Sequence, residues 1–267
     1  MIPEISASKV AGFIGLHKYQ DKNAVFYELL SKDKGIKAQI QELERTHNRR
    51  TLNSVFYDVY REPAIKDCVQ TAVKQCETTD NVESVIKDVA DQAKVIMSLR
   101  NASIPEDLRD RLAEEVAGMV SKQRGLKNEN AILNTYEQTE NVKVVERNTR
   151  TFKKSCGTFN LIGRTDGYVT SENRIVDSKE RTRFWPNVPI YDEIQLRTYM
   201  FMSGAKESEL IERFPDGSSR ITKFTNDPEK WKSLETAIET NVVRFVEAAT
   251  NPEELKRIVF ANTVAVA

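Results

Sequence analysis

The apolar residues of this 267-residue chain first change their period near residue 140, and that change constrains the fold more than any other feature. Before it they recur at helical spacing. Val82, Val85, Ile86, Val89, Ala93 and Ile96 trace one face of a helix over 80–99. Cys68 and Cys76 join Ile65, Val69, Ala72 and Val73 in a second stripe over 63–77, where the cysteines read as small buried hydrophobes. Shorter helices are expected from Ser6 or Ser8 to Gly15, from Lys22 to Ser31, and around Ile36, Ile40 and Leu43. Ser103-Ile-Pro-Glu106 reads as a capping box opening a helix over 105–122; Gly125 breaks or bends it, and a further helix runs to Gln138. After residue 140 a period of two appears and alternates with further helical stretches. Strands are expected at 142–149, 158–169 and 173–179, a helix at 189–202, and strands at 207–213 and 219–224. A final helix is faced by Trp231, Leu234, Ile238, Val242 and Phe245. This order describes an α/β core with a helical block in front.

Several function classes drop out on composition. No run approaches the roughly 18 apolar residues that span a bilayer, and MIPEISASKV lacks the layout of a secretory signal, so an intracellular, cytoplasmic protein without membrane association is expected. Three cysteines without Cys-x-x-Cys spacing make no disulfide framework, and two distant histidines make no zinc site. Any metal must be held by carboxylates, which selects Mg²⁺ or Mn²⁺. The formal net charge is zero, yet 143–183 holds ten Lys or Arg against five Asp or Glu. A local excess of that kind suits a polyanion such as DNA, and equally a solvated surface.

Inside that basic stretch lie Asp166, Asp177 and Lys179, on what reads as a β-hairpin turning at Ser171-Glu-Asn173. Alternation puts Ile175, Asp177 and Lys179 on one face. A turn centred near Glu172 sets Asp166 opposite Ser178 and diagonal to Asp177, with the carboxylates about 5–8 Å apart. Buried like charges raise each other's pKa unless a cation separates them. Glu129, sharing a helical face with Gly125, Leu126, Ile132, Leu133 and Tyr136, is a third candidate carboxylate; the alternative is that it lies at the edge of a wide stripe. Carboxylates around a metal with a lysine beside them suit phosphodiester hydrolysis. Gln195 and Tyr199 stand four apart on the next helix and can bind phosphate or fix a carboxylate.

Together these residues resemble the PD-(D/E)xK nuclease superfamily, and more narrowly its lambda-exonuclease/YqaJ-like viral recombinase family. The matching segments come in family order: Ile5-Ser-Ala-Ser-Lys-Val10 with Gly15-Leu-His-Lys-Tyr19, Gly125-Leu-Lys-Asn-Glu129, Gly163-Arg-Thr-Asp-Gly167, Ile175-Val-Asp-Ser-Lys179 and Gln195-Leu-Arg-Thr-Tyr199. The resemblance covers residues 1–30 and 120–205. It implies a single nuclease domain over 1–267, with a restriction-endonuclease-like core (a mixed central sheet flanked by helices) at 120–225 and an additional N-terminal helical block, 31–105, elaborating it. By the same resemblance Glu129, Asp166, Asp177 and the Ser178 backbone carbonyl would hold one or two Mg²⁺ ions, with Mn²⁺ as substitute, and Lys179 would be the catalytic lysine. Ser8 would receive a terminal 5′-phosphate with Lys9 beside it, and Arg164, Arg181, Gln195 and Tyr199 would contact DNA. The implied activity is 5′-to-3′ digestion of linear duplex ends in recombination or repair, by a homo-oligomer (a trimer) working with a single-strand annealing protein.

There are departures from the family. Thr165 replaces the usual proline, Asp177 stands where glutamate is commoner, and no basic residue precedes Ile5, leaving Lys9 as its substitute. Two other readings stay open. A RecB-like or CRISPR-adaptation nuclease would act on single strands or as an endonuclease, although its relatives often carry four cysteines. A non-catalytic DNA-binding protein could retain the fold, but would have no physical reason to keep converging acids.

Overall fold

The computed structural model describes residues 1–100 and 104–265. β1 (Glu4–Ser6) leads through a 3-10 turn at Ala7–Lys9 into α1 (Val10–Phe13). α2 (Lys22–Leu30) and α3 (Lys34–Thr46) follow, opened by Asp21 and Asp33, whose carboxylates accept from first-turn amides. β2 (Arg49–Thr51), α4 (Leu52–Tyr60), α5 (Pro63–Gln75) and α6 (Val82–Arg100) come next. α7 (Glu106–Glu140) then runs unbroken for 35 residues.

The remainder is built around strands. β3 (Thr151–Ser155), β4 (Asn160–Arg164), β5 (Gly167–Val169) and β6 (Arg174–Glu180) precede α8 (Ile190–Ser203). β7 (Glu207–Arg213) and β8 (Ser219–Thr225) form a hairpin before α9 (Pro228–Thr250), α10 (Pro252–Asn262) and β9 (Thr263–Ala265). One sheet has the order β5-β6-β7-β8, in which only β6 and β7 are parallel, and a second has the order β1-β4-β3, with β1 parallel to β4. β9 pairs with β2. Parallel β6 and β7 need a crossover, and α8 supplies it. The fold is thus mixed α/β.

Alternation along β6 and β7 assigns the two faces of the larger sheet. Ile175 and Leu210 join the core with Ile194 and Leu196 of α8 and Ile238 and Phe245 of α9. Val176 and Ile211 face the other way, onto Ile132, Leu133 and Tyr136 of α7. The earlier half of α7 packs elsewhere: Leu112, Val116 and Val120 meet Val55, Val69, Cys76, Val89 and Met97 of α4–α6 in a separate helical core. Cys68 packs at the edge of that core, so the cysteine stripe is apolar packing as its spacing implies.

Three expectations are corrected. Gly125 does not break the helix in two: α7 runs through it, its flanking turns anchored by both cores. No strand forms over 142–149. Glu146 and Asn148 take left-handed φ values of 53° and 54°, incompatible with a ladder, and only Val145 bridges to Tyr168. The single strand at 158–169 is two, parted at Thr165 and Asp166. Pro105 stands at the start of α7, while Ser103 of the expected capping box lies outside the described residues.

A Cβ at Gly125 would meet no atom within 4 Å. Gly125→Ala is therefore expected to raise unfolding free energy by about 0.5–1 kcal/mol, read from urea denaturation; a loss would mean that the helix bends there in solution.

Candidate active site

The parting of β4 from β5 creates the site. Gly167 pairs with Val176, so Asp166, one residue outside the ladder, falls opposite Asp177 rather than opposite Ser178. The one-residue difference arises at the hairpin end, where a 3-10 turn at Thr170–Glu172 closes on left-handed Asn173. Three hydrogen bonds hold the parting open: the Tyr199 hydroxyl donates to the Arg164 carbonyl (2.8 Å), the Asn148 amide to the Asp166 carbonyl (3.2 Å), and the Thr165 amide to the Arg150 carbonyl (3.4 Å). Gly163 is required beneath Tyr199, since a Cβ there would lie 2.5 Å from the ring.

The carboxylates face inward from this frame. Asp166 Oδ2 accepts from the Ser178 amide (2.8 Å) and hydroxyl (3.1 Å). Asp177, only 2% exposed, lies 2.6 Å from Lys179 Nζ and accepts from Gln195 Nε2 at 3.1 Å. Burial and the neighbouring Asp166 push the Asp177 carboxyl up to about 7. Burial also raises Asp166, against Lys179 and the Ser178 amide, with Glu129 adding to the rise. Lys179 moves above its ordinary value: burial opposes this, and Asp177, Asp166 and Asp192 together overcome it. Two acids and one lysine thus share a mostly desolvated space on the α8 face of the sheet.

Glu129 is half-buried, and Leu126 beside it is 68% exposed, so the glutamate sits at the edge of the buried stripe formed by Ile132, Leu133 and Tyr136. It is nevertheless turned toward the strand pair, because Asn148 Nδ2 donates to its carboxylate while the Asn148 backbone holds Asp166. Ser178, expected to offer its carbonyl, lies within β6 and meets Asp166 through its amide and hydroxyl. Gln195 and Tyr199 share a helical face, 3.3 Å apart, and both serve the carboxylate frame. Tyr199, 4% exposed, is a strut rather than a DNA contact.

Arg181 also departs from expectation. Its guanidinium is buried and donates to Glu212 and Asp192, each at 2.8 Å, so it faces internal carboxylates rather than DNA. Much of the basic excess over 143–183 is consumed likewise: Arg174 pairs with Glu209, Arg147 with Glu137 and Arg150 with Glu146. Arg164 and Ser8 are exposed, whereas Lys9 is ion-paired with Glu28, and burial lowers its pKa.

Sequence reasoning missed two residues. Asp192 lies three residues before Gln195 and seven before Tyr199, on the same helical face, a spacing that could have disclosed it. Asn148 gave no signal, since its role depends on a left-handed backbone in an irregular segment.

Among the described residues no three His, Cys, Asp or Glu side chains converge into a ready-made ligand set. The pair suited to a divalent cation is Asp166 with Asp177: hard oxygen donors whose mutual repulsion a cation would relieve. Glu129 acts on Asp166 by its charge from the adjoining helix.

Because the folded pKa of Asp177 is raised from an unfolded value of about 3.9, its protonation stabilises the metal-free fold fully below that value, and the contribution is lost as pH rises through about 7. Asp177→Asn is therefore expected to gain stability relative to the unsubstituted protein as pH rises from 5 to 8 in chelator. A difference in unfolding temperature that stays constant over this range would contradict the assigned burial.

No family model matches the chain, and no curated protein matches it. Among solved structures, an alkaline exonuclease from Laribacter hongkongensis aligns with 53% of this chain and 75% of its own, at 16% identity and a TM-score of 0.42. The same exonuclease in complex with dAMP aligns at 18% identity over 53% of this chain and 74% of its own, with a TM-score of 0.37. A phage related exonuclease from Haemophilus somnus 129PT covers 98% of this chain and 97% of its own, at 12% identity and a TM-score of 0.42.

Proposed function

We propose that this chain is a Mg²⁺-dependent deoxyribonuclease that hydrolyses phosphodiester bonds at the ends of linear duplex DNA. The observation that carries the reading is the pairing of buried Asp177 with half-buried Asp166, with Lys179 against them. Repulsion of this kind persists in a protein when it is repaid on binding a cation, and carboxylate oxygens select a hard one. Asp166 and Asp177 would hold the ion, with Glu129 completing the site from α7. When bound, Mg²⁺ supplies Lewis acidity and lowers the pKa of a coordinated water. Lys179, 2.6 Å from Asp177, would stand beside the ion, where it can orient or deprotonate the attacking water or stabilise charge on phosphate oxygens. Gln195 orients Asp177, and the Ser178 amide orients Asp166.

The motif order read from the sequence supports the finer features: 5′-to-3′ polarity, recognition of a terminal phosphate near exposed Ser8, a role in recombination or repair, a trimeric assembly and a single-strand annealing partner. No helix of the described residues is long and apolar enough to cross a membrane.

Purified protein with Mg²⁺ is expected to degrade 5′-phosphorylated linear duplex and to leave closed circles intact. Cutting of circles at the same rate would identify an endonuclease. Asp177→Ala and Lys179→Ala are each expected to abolish cleavage while the circular dichroism spectrum persists; wild-type rates in either would misplace the site. Asn148→Ala, which frees Glu129, is expected to weaken Mg²⁺ affinity by about 10- to 100-fold in a titration of rate against metal. An unchanged Mg²⁺ dependence would leave Glu129 outside the metal site.

A further inference from the structure

Gly15, at φ +79°, turns the chain out of α1 into a loop whose side chains the proposed chemistry does not use. The Tyr19 amide donates to His17 Nδ1 at 3.1 Å, fixing the loop on itself. The His17 ring stacks on Tyr191 of α8 with centroids 4.2 Å apart and planes at 22°. Tyr19 meets both rings edge-on, 6.5 Å from His17 and 6.4 Å from Tyr191. A cation adjoins these rings: Lys18 Nζ lies 5.3 Å from the Tyr19 centroid and 5.8 Å from Trp185, while Arg183, 4.7 Å from Trp185, is ion-paired with Glu83.

The cluster adjoins the carboxylate site. Tyr191 immediately precedes Asp192, the partner of Arg181, and both Asp192 and Lys179 act on the Tyr191 hydroxyl through their charges. Tyr19 remains 63% exposed although two rings and a cation hold it in place. Burial of apolar area does not account for a large ring fixed yet left in water. Fixed aromatic faces set beside a cation fit a polymer of flat bases joined by anionic phosphates. An exposed ring face suits an unpaired base, since bases within a duplex are already stacked.

We propose that Tyr19, supported by His17 and Tyr191 and flanked by Lys18, is a stacking platform for an unpaired base of the DNA strand beside the Asp166–Asp177 pair. The identity of the polymer rests on the nuclease reading; the platform itself rests on the rings and the cation.

The test is fluorescence anisotropy of the full chain in EDTA, so that cleavage plays no part. Three labelled probes are compared: a blunt duplex, the same duplex with a short thymidine tail, and the same tail made abasic. Wild type is expected to bind the thymidine tail more tightly than the other two. Tyr19→Ala is expected to lose roughly 5- to 100-fold on the thymidine tail, the range of one base–aromatic stack, and little on the abasic tail. Tyr19→Phe is expected to keep the wild-type affinity, because stacking needs the ring and not the hydroxyl. Equal binding of thymidine and abasic tails by wild type, or an unchanged thymidine-tail affinity in Tyr19→Ala, overturns the platform even if Mg²⁺-dependent cleavage is intact. A tail preference that depends on Tyr19 upholds it even in a protein that never cleaves.

Discussion

Two carboxylates placed side by side away from water repel each other, and each also loses its hydration. Asp177 is in that position and Asp166 partly so, and the surrounding structure is arranged around their conflict. Lys179 offsets part of it at 2.6 Å, the Ser178 amide donates to one acid and Gln195 to the other. The parting of β4 from β5 exists at the same point, because a continuous strand would carry Asp166 within a ladder rather than at the end of one. What remains unrelieved is visible in the raised carboxyl of Asp177.

Around the pair, the sheet carries charge where an ordinary core would be apolar. On the α8 face, Glu212 is fully buried between Arg181 and Arg220, and Arg181 reaches on to Asp192. On the α7 face, Arg174 joins Glu209, which also accepts from Tyr136, while Glu180 is held by Arg124 and Arg213. Such pairs contribute little net stability against well-packed apolar residues, but a mispaired register would strand buried charges at a cost of several kcal/mol. The networks therefore fit a role in locking the β6–β7 register and α8, on which the positions of Asp177, Lys179 and Gln195 depend. Arg181 belongs to this frame, which is why its location in a basic run gave a misleading signal.

The period-two pattern and the spacing of Asp177-Ser-Lys179 were legible, as were α8 and the Gln195–Tyr199 pair, because each depends on local periodicity alone, of strand or of helix. The register of Asp166 was not, since it turns on three residues of 3-10 helix and one left-handed asparagine. The irregular segment before β3 reads as a strand because it is rich in β-branched Val142, Val144 and Val145, while its left-handed positions fall at Glu146 and Asn148 rather than at glycine. α4 was not expected, although Leu52, Val55, Phe56 and Val59 keep helical spacing. Gly125 was given too much weight, because the intrinsic cost of one glycine is small beside two cores gripping the same helix. Ion pairing across elements, which decides whether a basic residue is free for DNA, has no one-dimensional signature.

The central claim is that the aspartate pair exists to hold a divalent cation. Isothermal titration of Mn²⁺ into the DNA-free protein at pH 7 addresses it without any appeal to catalysis. The expected result is saturable binding that disappears in both Asp166→Asn and Asp177→Asn, with proton release when the ion enters, seen as a dependence of the heat on buffer ionisation enthalpy. Binding of unchanged affinity in either variant, or none in the unsubstituted protein, would contradict the account.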